Sequence, residues 1–205
     1  MKVIKCIFLV GILTLLSACN MEAMSDAEVL TITPDSKSST IETFEMLNLG
    51  TLLDFEYKWE QADKTYLHIW AEGYQNGELV KPKLAEHIYG LHPTEEGEEG
   101  SLRLGFIETN EGPFVVLGTT NSIGTPQKLN LELLEEQVGR TWDYAIHEKV
   151  SANLNETIIL AGYRETSENI LKSGYDYQDE EEVQSMINKY DNLILFKIKV
   201  VEDIE

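Results

Sequence analysis

The chain has 205 residues, of which 42% are hydrophobic, and its 16 lysines and arginines face 36 aspartates and glutamates for a formal net charge of −20. This is enough apolar material for one domain of ordinary size with its own core. The charge excludes nucleic acid as a partner, because phosphate contacts need a basic patch and the sequence contains no cluster of lysines or arginines.

Lys2 and Lys5 open the chain as a positive n-region, and residues 7–16 (IFLVGILTLL) follow as an apolar h-region. That run is shorter than the roughly 20 residues a spanning helix needs. The small residues Ser17 and Ala18 then precede Cys19. The segment Leu16-Ser17-Ala18-Cys19 resembles the lipobox of bacterial lipoproteins. The resemblance implies a signal peptide over 1–18, a fatty-acylated diacylglyceryl group on the Cys19 sulfur, and a lipid-anchored chain on the extracytoplasmic face of the cell membrane. Cys6 leaves with the signal, so Cys19 is the sole mature cysteine and no intramolecular disulfide can form. Without Lys2 and Lys5, 14 basic residues oppose 36 acidic ones, a formal charge of −22. An anionic bilayer repels such a domain, which makes the lipid on Cys19 its means of attachment.

Residues 19–42 are rich in Ser, Thr, Asp and Glu and contain Pro34, with a brief apolar interruption at 29–32. They read as a flexible tether, and 43–205 as a single β-rich globular domain.

From Leu47 onward the dominant period is two, the signature of strands. In residues 53–59 the large apolar side chains alternate with charges. In 66–74, Leu67, Ile69, Ala71 and Gly73 share one face, and Tyr66, His68, Trp70, Glu72 and Tyr74 the other. Asn76-Gly77 signals a type I′ hairpin, since both central positions need positive φ. Residues 102–107 and 114–117 flank Asn110-Glu111-Gly112 as a second hairpin, and further strands are expected at 128–134, 141–147, 157–163 and 193–201.

One helix stands against this pattern. Val183, Met186, Ile187 and Tyr190 recur at i, i+3, i+4 and i+7 after Asp179-Glu180-Glu181-Glu182, an acidic run suited to the positive end of a helix dipole. Its apolar stripe is expected to cover one side of a sheet, with the last strand following at once. About eight strands and one late helix define a mainly β fold, an antiparallel β-sandwich, with a calycin-like barrel as the alternative. The Gly-x-Trp opening of the calycins is missing.

No sequence pattern marks a catalytic centre, a cofactor site or a metal site. There is no Gly-x-Ser-x-Gly elbow and no mature thiol. His87 and His92 stand five apart, a spacing that suits a loop and a structural role. The acidic run at 95–99 reads as a solvated loop and the one at 179–182 as a helix start; neither has the alternating oxygen ligands of a calcium loop. Residues 118–126 form a polar loop without a phosphate-binding lysine, a candidate rim for recognition.

Tyr66, Trp70, Tyr74 and Glu72 form the candidate ligand-binding set, with Tyr57 and Trp59 on a neighbouring strand. On one reading they line an open face where rings stack on sugar or peptide. On the other, preferred because large rings in a sandwich face inward, they belong to the core. Trp142 and Tyr144 present the same choice.

Residues 66–80 (YLHIWAEGYQNGELV) and 190–199 (YDNLILFKIK) are also similar to small exported lipoproteins of low-GC Gram-positive bacteria, a resemblance that carries no catalytic motif. Three functions follow as expectations. The first is a membrane-anchored interaction module for an exported protein, a peptide or a cell-wall polymer. The second is a small wall hydrolase using carboxylates such as Glu72 or Asp143. The third is a calycin-like carrier of an apolar ligand.

Overall fold

The computed structural model describes residues 28–92, 95–133, 139–168 and 170–204. Cys19, the signal segment and the start of the tether lie outside the described residues.

The chain runs β1 (Leu30–Pro34), α1 (Ser39–Met46), β2 (Gly50–Glu60), β3 (Tyr66–Gln75), β4 (Glu78–Gly90), β5 (Gly97–Thr109), β6 (Gly112–Thr119) and β7 (Gln127–Lys128). It continues with β8 (Gly139–Tyr144), β9 (Val150–Ala152), β10 (Ile158–Thr166), α2 (Glu180–Lys189) and β11 (Asn192–Val201). Two antiparallel sheets result, with strand orders β7-β6-β5-β2-β1-β9 and β4-β3-β11-β10-β8. They face each other across one core, which takes Phe55, Trp59, Leu102 and Leu104 from the first sheet and Leu67, Ile69, Ile194 and Phe196 from the second. Both sheets are open and do not close into a barrel. The calycin-like alternative therefore falls, and with it the apolar carrier: large rings fill the space between the sheets. Phe106 of β5 packs edge-on against Trp142 of β8 at 4.7 Å, and Trp142 meets Phe196 of β11 at 5.6 Å.

The tether reading needs correction from residue 29 on. Val29-Leu30-Thr31-Ile32 is not an interruption in a flexible segment but the entry to a strand flanked on both sides, with Leu30 and Ile32 fully buried. The polar composition around it hid a short alternation that the sheet uses. Helix α1 follows, capped by Ser38, whose hydroxyl accepts the Ile41 amide at 3.2 Å.

Strand β4, the partner that the Asn76-Gly77 hairpin requires, runs on to Gly90, a length that no alternation in Lys81-Pro82-Lys83 and its exposed first half signals; it is an edge strand, where proline and lysine are tolerated. It places His87 on a strand and not in a loop. The expected strand at 128–134 shortens to Gln127–Lys128, although Leu129 and Leu131 stay buried, and residue 134 lies outside the described residues. The Asn76-Gly77 turn has φ of 50° and 84°, as its type requires.

Helix α2 forms as the periodicity predicts. Asp179 caps it by accepting the Glu181 and Glu182 amides, and Met186, Ile187 and Tyr190 bury against Leu193 and Leu195 of β11. The helix covers the outer face of the second sheet at one side and leaves the other side of that face open. Among the described residues, no helix is long and apolar enough to cross a membrane.

Candidate functional site

Strand parity decides where the candidate residues go. Leu67, Ile69 and Ala71 point into the core, so His68, Trp70, Glu72 and Tyr74 project from the opposite, outer face of β3. The core reading of Trp70 is thereby corrected, although neighbouring side chains leave its surface only 8% exposed. Tyr57 and Trp59 belong to β2 in the other sheet and are core residues, not neighbours of Trp70. Trp142 and Tyr144 pack against the core from β8.

On the open side, register brings three strands together. Trp70 lies opposite Glu86 of β4 and Lys197 of β11, and His68 opposite Ile88 and Lys199. The result is a groove of about 370 Å³ whose polar lining includes His68, Trp70, Glu72, Glu86 and Lys199. Pro82, Ile88 and Val201 supply apolar wall, and Asp203 and Ile204 stand at its rim. Tyr74 is bonded to Glu72 but packs toward α2, and Tyr66, at the first position of β3, does not line the groove.

The groove's side chains are held in fixed positions. Trp70 Nε1–H donates to Glu72 Oε1 at 2.9 Å, while Tyr74 and Lys197 donate to Oε2 at 2.9 and 2.7 Å. The His68 ring stacks on Trp70 with centroids 4.6 Å apart and bonds Glu86 at 2.7 Å, and Lys83 pairs with the same carboxylate. Burial acts to raise the pKa of Glu72, but the bonds from Lys197, Trp70 and Tyr74 outweigh it and leave the carboxyl below its ordinary value. Glu86 behaves alike, with burial outweighed by Lys83 and His68. His68 moves the other way: burial lowers its pKa despite Glu86, which favours the neutral imidazole.

A general acid needs a raised carboxyl pKa, and both groove carboxylates are depressed. Glu72 and Asp143 do not form a pair, since β11 and β10 stand between β3 and β8, about 14 Å at the usual strand spacing. Asp143 is instead committed to Arg164, at 2.5 Å, and to Tyr177, at 2.9 Å.

Arg164 organises the covered half of the same face. It is 1% exposed, donates to the Lys172 carbonyl at 2.8 Å and the Tyr190 hydroxyl at 2.6 Å, and lies over the Tyr175 and Tyr190 rings at 4.9 and 4.8 Å. One buried guanidinium thus fastens the segment before α2, and the end of α2, to β10.

Another polar cluster was hidden in the run at 95–99. Glu98 is not solvated: strand parity turns it inward, where Tyr57 donates to one oxygen and Tyr89 to the other at 2.8 Å, with His92 Nε2 3.5 Å away. His92 therefore faces Glu98, whereas His87 sits against Gly124, so the two histidines serve different surroundings. Among the described residues, no group of three or more His, Cys, Asp or Glu side chains is placed to hold a metal ion.

The fold and this face define a two-sheet antiparallel sandwich domain with a helix over half of one outer surface and a charge-laced groove on the rest. Residues 42–200 match the family model of the YgaN domain, and the chain belongs to that family. The match starts within α1 and takes in all later strands up to Val200. No curated protein and no solved structure matches the chain.

Proposed function

We propose that this protein is a lipoprotein held by lipid on Cys19 at the extracytoplasmic face of the cell membrane, and that its domain is an interaction module whose recognition surface is the Trp70 groove. The anchor rests on the sequence Leu16-Ser17-Ala18-Cys19. From Cys19 the chain reaches Val29, the first buried residue of the domain, over at most about 35 Å. The domain therefore works close to the bilayer. Its partner is an exported protein, a peptide or a cell-wall polymer.

The groove carries the reading. It is concave, and its indole and its Glu72 and Glu86 carboxylates are locked by hydrogen bonds before any ligand arrives, which lowers the ordering cost of binding. Two experiments test the proposal. A Cys19→Ser variant is expected to leave the membrane fraction; one that stays bound and migrates unchanged refutes the anchor. Capture from intact envelopes is expected to enrich one partner or polymer with the native domain and to lose it with Trp70→Ala. Equal enrichment by both refutes the groove.

A further inference from the structure

We propose that the Trp70 groove receives the carboxylate of a short peptide segment and that Lys199 is its counter-ion. The inference deepens the recognition reading above and rests on it.

Three lysines lie on this open face, and two of them are already neutralised. Lys197 pairs with Glu72 at 2.7 Å and Lys83 pairs with Glu86. Lys199 is different. Among the described residues it has no carboxylate within 4 Å, and its ammonium sits 5.9 Å from the centroid of the Trp70 ring. Asp203 also lines the groove, but its carboxylate stands more than 4 Å from the Lys199 ammonium and forms no salt bridge with it. A chain with 36 acidic residues leaves this ammonium unpaired at the edge of a recess.

Charge complementarity then selects the ligand. A single uncompensated cation, flanked by Glu72 and Glu86, matches a monovalent carboxylate; a phosphate, with its higher charge, would meet two carboxylates for one ammonium. The apolar wall of Pro82, Ile88 and Val201 accommodates an aliphatic side chain next to that carboxylate, and Asn155 offers an amide to peptide polar groups. The groove's size falls within the range of about 300–1,000 Å³ typical of small-ligand sites. A free peptide C-terminus satisfies each of these features.

The test uses the full-length chain in detergent and the indole N–H resonance of Trp70, assigned by comparison with Trp70→Phe. The probes are N-acetyl-Ala-Ala with a free carboxylate, its C-terminal amide, and sodium acetate. The free acid is expected to move the Trp70 resonance saturably and at least about tenfold more tightly than the amide, a preference of about 1.4 kcal/mol. Lys199→Gln is expected to abolish that preference, while Lys58→Gln on the other sheet keeps it. Equal response to acid and amide overturns the carboxylate anchor and leaves the groove reading standing. Acetate acting as well as the dipeptide overturns the peptide assignment. No response to any probe up to about 10 mM, weaker than any specific site of this size, overturns the inference as a whole; the groove reading then stands or falls on envelope capture.

Discussion

Trp70 Nε1 and Glu72 Oε1, two residues apart on one face of β3, are joined by a 2.9 Å hydrogen bond that fixes the indole against the sheet. The other carboxylate oxygen is held by Lys197 at 2.7 Å, with both partners less than a fifth exposed. Glu72 thus couples β3 to β11 and sets the floor of the groove. Its folded pKa lies below the ordinary 4.5, so the stability it contributes is complete above that value and is lost as pH falls through the folded one. Glu72→Gln is expected to cost about 1.5–3 kcal/mol at neutral pH. Chemical denaturation at a series of pH values checks this: the gap between the two proteins must be widest at neutral pH and close below about 4.5. A gap independent of pH contradicts the assigned role.

Arg164 supplies the corresponding test on the covered half of the face. Its removal leaves Asp143 without its guanidinium partner and frees both the Lys172 carbonyl and the Tyr190 hydroxyl. Arg164→Ala is expected to destabilise the domain by about 3–5 kcal/mol, the range for breaking a buried ion pair from one side. Hydrogen exchange is expected to rise first over residues 170–190, because that guanidinium is what ties them to β10. Uniform loss of protection across both sheets would show that Arg164 is not a local fastener.

How much of this was legible depends on what each strand had to do. β3 and β11 are buried on one face and half-covered on the other, so their alternation is plain and assigns Leu67, Ile69, Phe196 and Ile198 to the core. β1 is not legible, and of β4 only the start, after the Asn76-Gly77 turn, can be read. One is a five-residue strand in polar surroundings, and the other spends Glu78 to Lys83 exposed at a sheet edge, where no apolar face is required. The groove was half legible for the same reason. His68, Trp70 and Glu72 could be placed on one face, but Glu86 and Lys199 meet them only through the registers of β4 and β11 on β3, which no local pattern encodes. Glu98 and Glu165 show the converse. Both are carboxylates that composition alone would place at the surface, and both are buried with partners: Tyr57, Tyr89 and His92 around Glu98, and Tyr163 and Arg140 around Glu165.

The Glu98 cluster gives an alkaline signature. Tyr89 is pushed up to about 12, first by burial and then by its bond to the Glu98 carboxylate, and Tyr57 moves in the same direction for the same causes. A tyrosine whose folded pKa exceeds the ordinary 10.0 contributes stability below that value and loses it as pH rises toward the folded one. Ultraviolet phenolate titration of the native protein, compared with Tyr89→Phe, is expected to place this group near 12. In Glu98→Gln the midpoint is expected to fall toward 10 without reaching it, since burial persists after the charge is gone. A midpoint unchanged by that substitution would mean that burial alone sets it.

Gly162 tests how closely the covered segment is fitted to the sheet. A Cβ at this position of β10 would lie 2.5 Å from Tyr177 Cε1 and 2.6 Å from its hydroxyl oxygen. Tyr177 is 3% exposed and donates to Asp143 at 2.9 Å, so its ring has no free direction in which to withdraw. Gly162→Ala is expected to displace the ring, break the bond to Asp143 and cost about 1–3 kcal/mol, the usual range for overpacking a fitted site. Thermal unfolding measures the loss. A second substitution, Tyr177→Ala, identifies its source: with the ring gone, the added methyl group meets nothing at that distance, so Gly162→Ala in that background is expected to cost far less than alone. Equal costs in the two backgrounds would place the strain in the β10 backbone and not in the contact with Tyr177.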